Sequence, residues 1–224
     1  MIQEQSAHYS TLLEQGSAAL GFPLTESQIK QLLDYLALFI KWNGSYNLSA
    51  IRDPLEMINK HLLDSLSIAP FIARSKGSRY IDVGTGGGLP GIPMAICFPE
   101  KQFTLLDSAG KKTRFLFQVK QSLALANVSI ENTRVEHHRP DDKNSNLLHD
   151  GVLSRAFTSL AQMTSFCKHL ITPEGEFWAM KGVYPKHELS ELEKHYIVVD
   201  CHRLQVPGDI GERCLVHIKP LSNQ

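Results

Sequence analysis

The 224-residue sequence predicts an α/β fold: a seven-stranded, mostly parallel sheet that ends in a C-terminal antiparallel hairpin and follows an N-terminal helical extension. Three observations predict it. From Arg79 onward, short apolar runs alternate with segments of helical period, the pattern of parallel βαβ units. A glycine-rich turn directly follows the first of those runs. Near the end of the chain, two strand-like segments are separated by Pro207-Gly208-Asp209, which reads as a hairpin.

Residues 1–76 form the expected helical extension and residues 77–224 the sheet domain, packed as one globular unit. In the extension, Thr25-Glu26-Ser27-Gln28 is a capping box. It leads into Ile29, Leu32, Leu33, Leu36 and Ile40 at helical spacing, with Asn43-Gly44 as the expected stop. Asp53-Pro54-Leu55-Glu56 opens a second helix, with Asp53 as cap, Pro54 in the first turn and Glu56 reaching back. That helix is expected to run through His61 to about Ile68. In the sheet domain the expected strands are Tyr80–Val83, Gln102–Leu106, Val128–Asn132, Val152–Ser154, Gly175–Met180, Tyr196–Val206 and Arg213–Ile218. The intervening helices are Pro90–Cys97, Gly110–Leu125 and Leu160–Leu170. The polar stretch from His137 to Asp150 reads as an exposed loop. A sheet of this kind binds ligands in the crevice at the C-terminal ends of its parallel strands.

Composition narrows the class of function. Lys plus Arg and Asp plus Glu each total 23, so no global field draws the chain toward nucleic acid, and any such contact must be local. No Lys or Arg precedes Lys30 and no apolar run is long enough to span a bilayer. A soluble, cytoplasmic, monomeric protein is expected. The four cysteines, Cys97, Cys167, Cys201 and Cys214, show no paired spacing and read as reduced thiols. His137-His138 and Cys201-His202 are adjacent pairs without zinc spacing, so no metal is expected.

The densest motif is Asp82-Val83-Gly84-Thr85-Gly86-Gly87-Gly88-Leu89-Pro90-Gly91. A strand delivers the chain to a turn that glycine makes freely, and a helix start with unpaired N–H groups follows. Such a loop can cradle a diphosphate or the methionine end of S-adenosylmethionine. Gly86, Gly88 and Gly91 satisfy the G-x-G-x-x-G dinucleotide fingerprint. Two features favour the methionine end. Asp82 would sit unfavourably beside a diphosphate but would hold a cationic amino group, directly or through water. Pro90 and Pro93 flank the helix start, an unusual choice for a pyrophosphate helix. Asp107, ending the second strand, suits the ribose hydroxyls of either cofactor. The terminal hairpin fits a Rossmann-like class I methyltransferase better than a dehydrogenase.

Further motifs extend this reading along the chain. They are Trp42-Asn43 with Tyr46-Asn47-Leu48, Ile51-Arg52-Asp53-Pro54, His61-Leu62-Leu63-Asp64-Ser65, the run from Asp82 to Pro93, Leu105-Leu106-Asp107-Ser108 with Gly110-Lys111-Lys112, Ser154-Arg155-Ala156-Phe157, Met180-Lys181-Gly182 and Gly211-Glu212-Arg213. With these motifs in this order, the chain resembles the bacterial 16S ribosomal RNA guanine-N7 methyltransferases, also called glucose-inhibited division protein B. The resemblance implies S-adenosylmethionine as methyl donor, S-adenosylhomocysteine as product, and a guanine of 16S rRNA as acceptor, in the small subunit or an assembly intermediate. Carried over by motif, Gly84, Leu89, Val135, Glu136 and Arg155 bind the cofactor, with Asp107 at the ribose. Asp82, Thr85 and Gly86 join this set from the loop itself. The chain departs from the family at Cys214, where a histidine usually follows Glu-Arg, and in its longer loop after Glu136.

Guanine N7 carries an in-plane lone pair and no proton, so the implied reaction needs positioning rather than a general base. No base stands out in the sequence. The Asp/Asn-Pro-Pro-aromatic motif of amino methyltransferases is missing from Ser154-Arg155-Ala156-Phe157, and no cysteine follows a proline as in the cytosine-C5 enzymes. Arginine is the usual partner of guanine O6. Arg155 and Lys181, at expected strand ends, are candidates for positioning the guanine, and Arg134, Lys181 and Arg213 for holding RNA. Lys111, Lys112 and Arg114 read first as a solvated helix face. His61 and Asp64 share a helix face and are expected to pair and dock the extension, or to line the RNA entrance. Two other readings stay open: an NAD-dependent oxidoreductase using the glycine loop, and a non-catalytic RNA-binding assembly protein on the same scaffold.

Overall fold

The computed structural model describes residues 2–140, 148–192, 195–208 and 211–221. Its centre is a seven-stranded sheet: β1 (Arg79–Val83), β2 (Gln102–Leu106), β3 (Val128–Glu131), β4 (His149–Arg155), β5 (Ile171–Lys181), β6 (Tyr196–Leu204) and β7 (Arg213–Pro220). The order across the sheet is β3-β2-β1-β4-β5-β7-β6. The first five strands run parallel, and β7 pairs antiparallel with both β5 and β6. The expected fold class is therefore present, hairpin included. Gly208 turns that hairpin at φ 76°, while Asp209 lies outside the described residues.

Both faces are covered along the central strands β1 and β4, which is why those strands are nearly continuous in burial, whereas the edge strand β6 is largely exposed. Along β1, Tyr80 joins the core on the extension side and Ile81 the core on the opposite side. The first side is filled from α1 (Ile2–Ala19), α2 (Glu26–Tyr46), α6 (Gly91–Cys97) and α7 (Gly110–Ser122). The second is filled by α8 (Leu160–Cys167).

The extension corrects two expectations. Thr25 forms its capping box with Gln28 as expected, but α2 runs on to Tyr46 and ends at Asn47, in the left-handed region at φ 50°. Asn43 is buried within the helix. Its side-chain amide donates to the Ile51 carbonyl at 2.9 Å and its oxygen accepts from the Ser49 amide at 2.8 Å, so it shapes the next turn instead of stopping the helix. The single helix expected from Asp53 is segmented into α3 (Pro54–Met57), a π-helical stretch Ile58–Leu63, and α4 (Asp64–Leu66), before α5 (Ala69–Arg74). Asp53 caps α3, while Glu56 pairs forward with Lys60 at 3.0 Å. Of the expected loop, residues 141–147 lie outside the described residues, His137 closes a 3-10 turn and His149 begins β4. The short helix α9 (Lys186–Ser190) follows β5.

Candidate functional site

The glycine loop leaves the C-terminal end of β1 at the centre of the sheet. Gly84 and Thr85 donate backbone hydrogen bonds to the Leu106 carbonyl at 2.9 and 3.2 Å, holding the loop against the end of β2. Asp82 is fully buried beneath it. Its Oδ2 accepts from Thr85 Oγ1 at 2.6 Å and from the Gly91 amide at 2.8 Å. Burial pushes the Asp82 carboxyl up to about 6, against the pull of those two donors. Asp82 thus braces the two ends of the loop from inside. Both of those donors meet one oxygen, and its Oδ1 is buried without a hydrogen-bond partner.

The loop has two working faces. Gly84 sits at φ 69°, and a Cβ there would stand 2.7 Å from the Phe157 ring. A side chain at Gly87 would overlap the Phe39 ring of α2. The Gly87 carbonyl also accepts from Tyr35 Oη at 2.6 Å, a buried bond from the same helix. One glycine therefore exposes backbone to the crevice, and the other lets the helical extension press directly on the loop.

On the crevice side lies a cavity of about 420 Å³, lined among others by Gly84, Asp107, Arg134, Val135, Glu136 and Phe157. Small-ligand pockets run from roughly 300 to 1,000 Å³. Asp107, at the end of β2, turns its carboxylate toward this space. One oxygen accepts from the Gly86 amide at 2.9 Å and lies 3.6 Å from Lys112 Nζ, and the other accepts from the Ala109 amide at 2.8 Å. A carboxylate has about four acceptor sites, so lone pairs remain for ligand hydroxyls. Opposite, Ala156 follows β4 at φ 54°, a conformation a non-glycine residue keeps only when its surroundings impose it. That bend presents Ala156, Phe157 and Thr158 to the cavity.

The expected site residues separate into two groups. Gly84, Asp107, Arg134, Val135 and Glu136 meet at the cavity, with Gly86 bound to Asp107 at its edge. Asp82, Thr85 and Leu89 are buried beneath the loop and hold its shape. Arg155 does not line the cavity. Its Nη1 donates to Asp64 Oδ2 at 2.9 Å and to the Lys60 carbonyl at 3.1 Å. Arg213 Nε donates to the other oxygen of Asp64 at 3.0 Å. Asp64 is thus the joint between extension and sheet, and the expected His61–Asp64 pair does not form: His61 Nε2 meets Ser49 Oγ at 2.9 Å. Lys181 donates from Nζ to the Thr158 carbonyl at 2.7 Å and to Glu188 at 2.8 Å, so it fixes the wall that carries Phe157. Sequence reasoning missed Ala156, Phe157 and Thr158 as cavity residues. Their signal was their place directly after Arg155 at a strand C-terminus.

Among the described residues, no histidine lines the cavity. His61 and His149 lie elsewhere, both held down to about 4 mainly by burial. No group of three or more His, Cys, Asp or Glu that could hold a metal occurs among the described residues.

Comparison with known proteins adds three findings. The family model described as rRNA small subunit methyltransferase G matches residues 28–216. Proteins named ribosomal RNA small subunit methyltransferase G are similar throughout. The one from Saccharophagus degradans is 58% identical, over 97% of this chain and 94% of its own. The one from Cellvibrio japonicus is 53% identical, over 92% of each. Among solved structures, a putative O-methyltransferase from Klebsiella pneumoniae shares the fold, with a TM-score of 0.58 at 14% identity over 96% of this chain and 99% of that one. A SAM-dependent methyltransferase from Leishmania major does so with a TM-score of 0.56 at 14% identity over 83% of each.

Proposed function

The chain belongs to the rRNA small subunit methyltransferase G family, and on that premise we propose that it transfers a methyl group from S-adenosylmethionine to N7 of a guanine in 16S ribosomal RNA. Membership of a methyltransferase family displaces the oxidoreductase alternative.

The observation that carries the proposal is the cavity between Gly84 and Asp107 at the C-terminal ends of β1 and β2. Its donor set fits the cofactor. Bare backbone at Gly84 and Gly86 would hold the methionine end, Asp107 would offer acceptors to ribose hydroxyls, and Val135 and Glu136 would hold the adenine. When bound, the cofactor supplies a methyl group carried on a sulfonium. The chain's own contribution is to orient: Asp82 and Thr85 stiffen the loop from beneath, and Lys181 holds the Thr158 carbonyl and hence the Phe157 wall. Arg155 and Lys181 then act as positioning residues, through Asp64 and Thr158 respectively. Arg134, which lines the cavity wall together with Lys112, is a cation available to RNA phosphate there.

We assign the reaction to the cytoplasm, with the small subunit or an assembly intermediate as substrate and the monomer as the working form. No helix among the described residues is long and apolar enough to cross a membrane. Two measurements test the proposal. Calorimetry should show S-adenosylmethionine binding that Gly84→Asp abolishes. Labelled methyl groups should pass to small subunits lacking the modification, and mapping should place the label on guanine N7. No binding at high micromolar cofactor, or label on another atom, would overturn it.

A further inference from the structure

Beyond the cofactor cavity, the same end of the sheet carries a second and smaller pocket of about 180 Å³. Its walls are Gly182 and Tyr184 after β5, Cys201 and Arg203 on β6, and Glu212 and Arg213 entering β7, with buried Cys214 beside them. Cys214 pairs with Lys181 across the β5–β7 ladder, so the pocket opens at the C-terminal end of β5, next to the wall that Lys181 holds. From β4, which leads into Phe157, to β7 is two strand spacings, roughly 10 Å. Two features set this pocket apart. Tyr184 is 58% exposed and its neighbour Val183 66%, a large apolar surface left in water at the mouth of the crevice. Two guanidinium groups and one carboxylate share the rim.

We propose that this pocket receives an unstacked nucleobase of the substrate RNA, a neighbour of the methylated guanine. The inference rests on the RNA methyltransferase reading above. Sequence-specific RNA binding uses splayed bases that stack on aromatic rings and hydrogen-bond along their edges. Tyr184 supplies the ring. Cys201 and Cys214 supply an apolar floor. Arg203 offers donors to a phosphate or to base acceptors, and Glu212 accepts from an amino group on a base edge. At less than half the 420 Å³ of the cofactor cavity, the pocket suits one ring system and not a second cofactor. The zero net charge of the chain agrees with capture by a shaped local site instead of a broad basic surface.

The test measures methyl transfer to unmodified small subunits together with cofactor affinity. Stacking contributes roughly 1–3 kcal/mol per base, so Tyr184→Ala should raise KM for the subunit roughly 5-fold to 150-fold, with S-adenosylmethionine affinity unchanged. Tyr184→Phe keeps the ring and should restore KM. Arg203→Ala, at another exposed position, should raise KM and flatten its dependence on salt. If Tyr184→Ala keeps the wild-type KM, or Phe fails to rescue it, the pocket proposal falls and the methyltransferase reading stands. If the wild-type protein binds cofactor but transfers no methyl group to any RNA, both fall.

Discussion

Removing the Asp64 carboxylate should unlatch the helical extension from the sheet. Asp64 has 6% of its side chain exposed, against 21% for Arg155 and 26% for Arg213. Its two oxygens each accept one charged hydrogen bond, at 2.9 and 3.0 Å, from residues 91 and 149 positions away. A hydrogen bond to a charged group contributes about 1.5–3 kcal/mol, so two give roughly 3–6. Breaking a buried ion pair by deleting one partner costs about 3–5 kcal/mol, because the other charge is left desolvated. Both routes put Asp64→Ala at about 3–5 kcal/mol, a large share of the roughly 5–15 kcal/mol that holds a domain together. Urea unfolding of Asp64→Ala, Arg155→Ala and the double variant measures it. The double variant should lose less than the sum, since once Asp64 is gone Arg155 has no carboxylate to lose. A loss below about 1 kcal/mol for Asp64→Ala, or strict additivity in the cycle, would refute the latch.

Further outcomes follow from the same geometry. Gly84→Ala should lower stability by about 1–2 kcal/mol from its left-handed backbone, and the new methyl against Phe157 should weaken cofactor binding measured by calorimetry. Gly87→Ala forces a methyl group into the Phe39 ring, and overpacking of that kind costs about 1–3 kcal/mol; a lowered urea midpoint and altered near-ultraviolet dichroism should report it. Folding holds His61 and His149 neutral, with values near 4 against 6.5 in the unfolded chain. Their stabilisation is complete above pH 6.5 and is lost as pH falls from there toward 4, by roughly 3 kcal/mol per histidine. Asp82, raised to about 6, acts in the opposite sense, its contribution falling as pH rises from about 4 to 6. Two histidines outweigh one aspartate, so stability from urea titrations should decline on acidification, and less steeply in His149→Gln.

What the sequence made legible was its local chemistry. The glycine turn, the strand-ending Asp107 and the cap at Thr25 all follow from neighbours a few residues apart, and each sits where expected. Asp82 is legible as part of the loop, but its bracing role is not. That role depends on Thr85 and Gly91 closing over it, a matter of loop shape more than residue type. Arg155 and Arg213 end or begin strands, which by itself points to the crevice. That their partner is Asp64 depends on how the extension packs, which no local spacing encodes. Asn43 misled for a related reason. It is a helix terminator by propensity, yet here its side chain finds Ser49 and Ile51 and the helix continues past it.

The seat of Gly87 on α2 has a consequence for communication within the molecule. Tyr35 and Phe39 grip the back of the loop whose front is Gly84, so the crevice and the outer helices share one wall. By thermodynamic reciprocity, whatever stiffens the front must be felt behind, and whatever tugs on the helices must alter the hold on a ligand in front. Amide exchange along α2 would therefore register occupancy of a cavity that helix never touches. Any partner leaning on the helices would, by the same linkage, retune the grip on a ligand in the cavity.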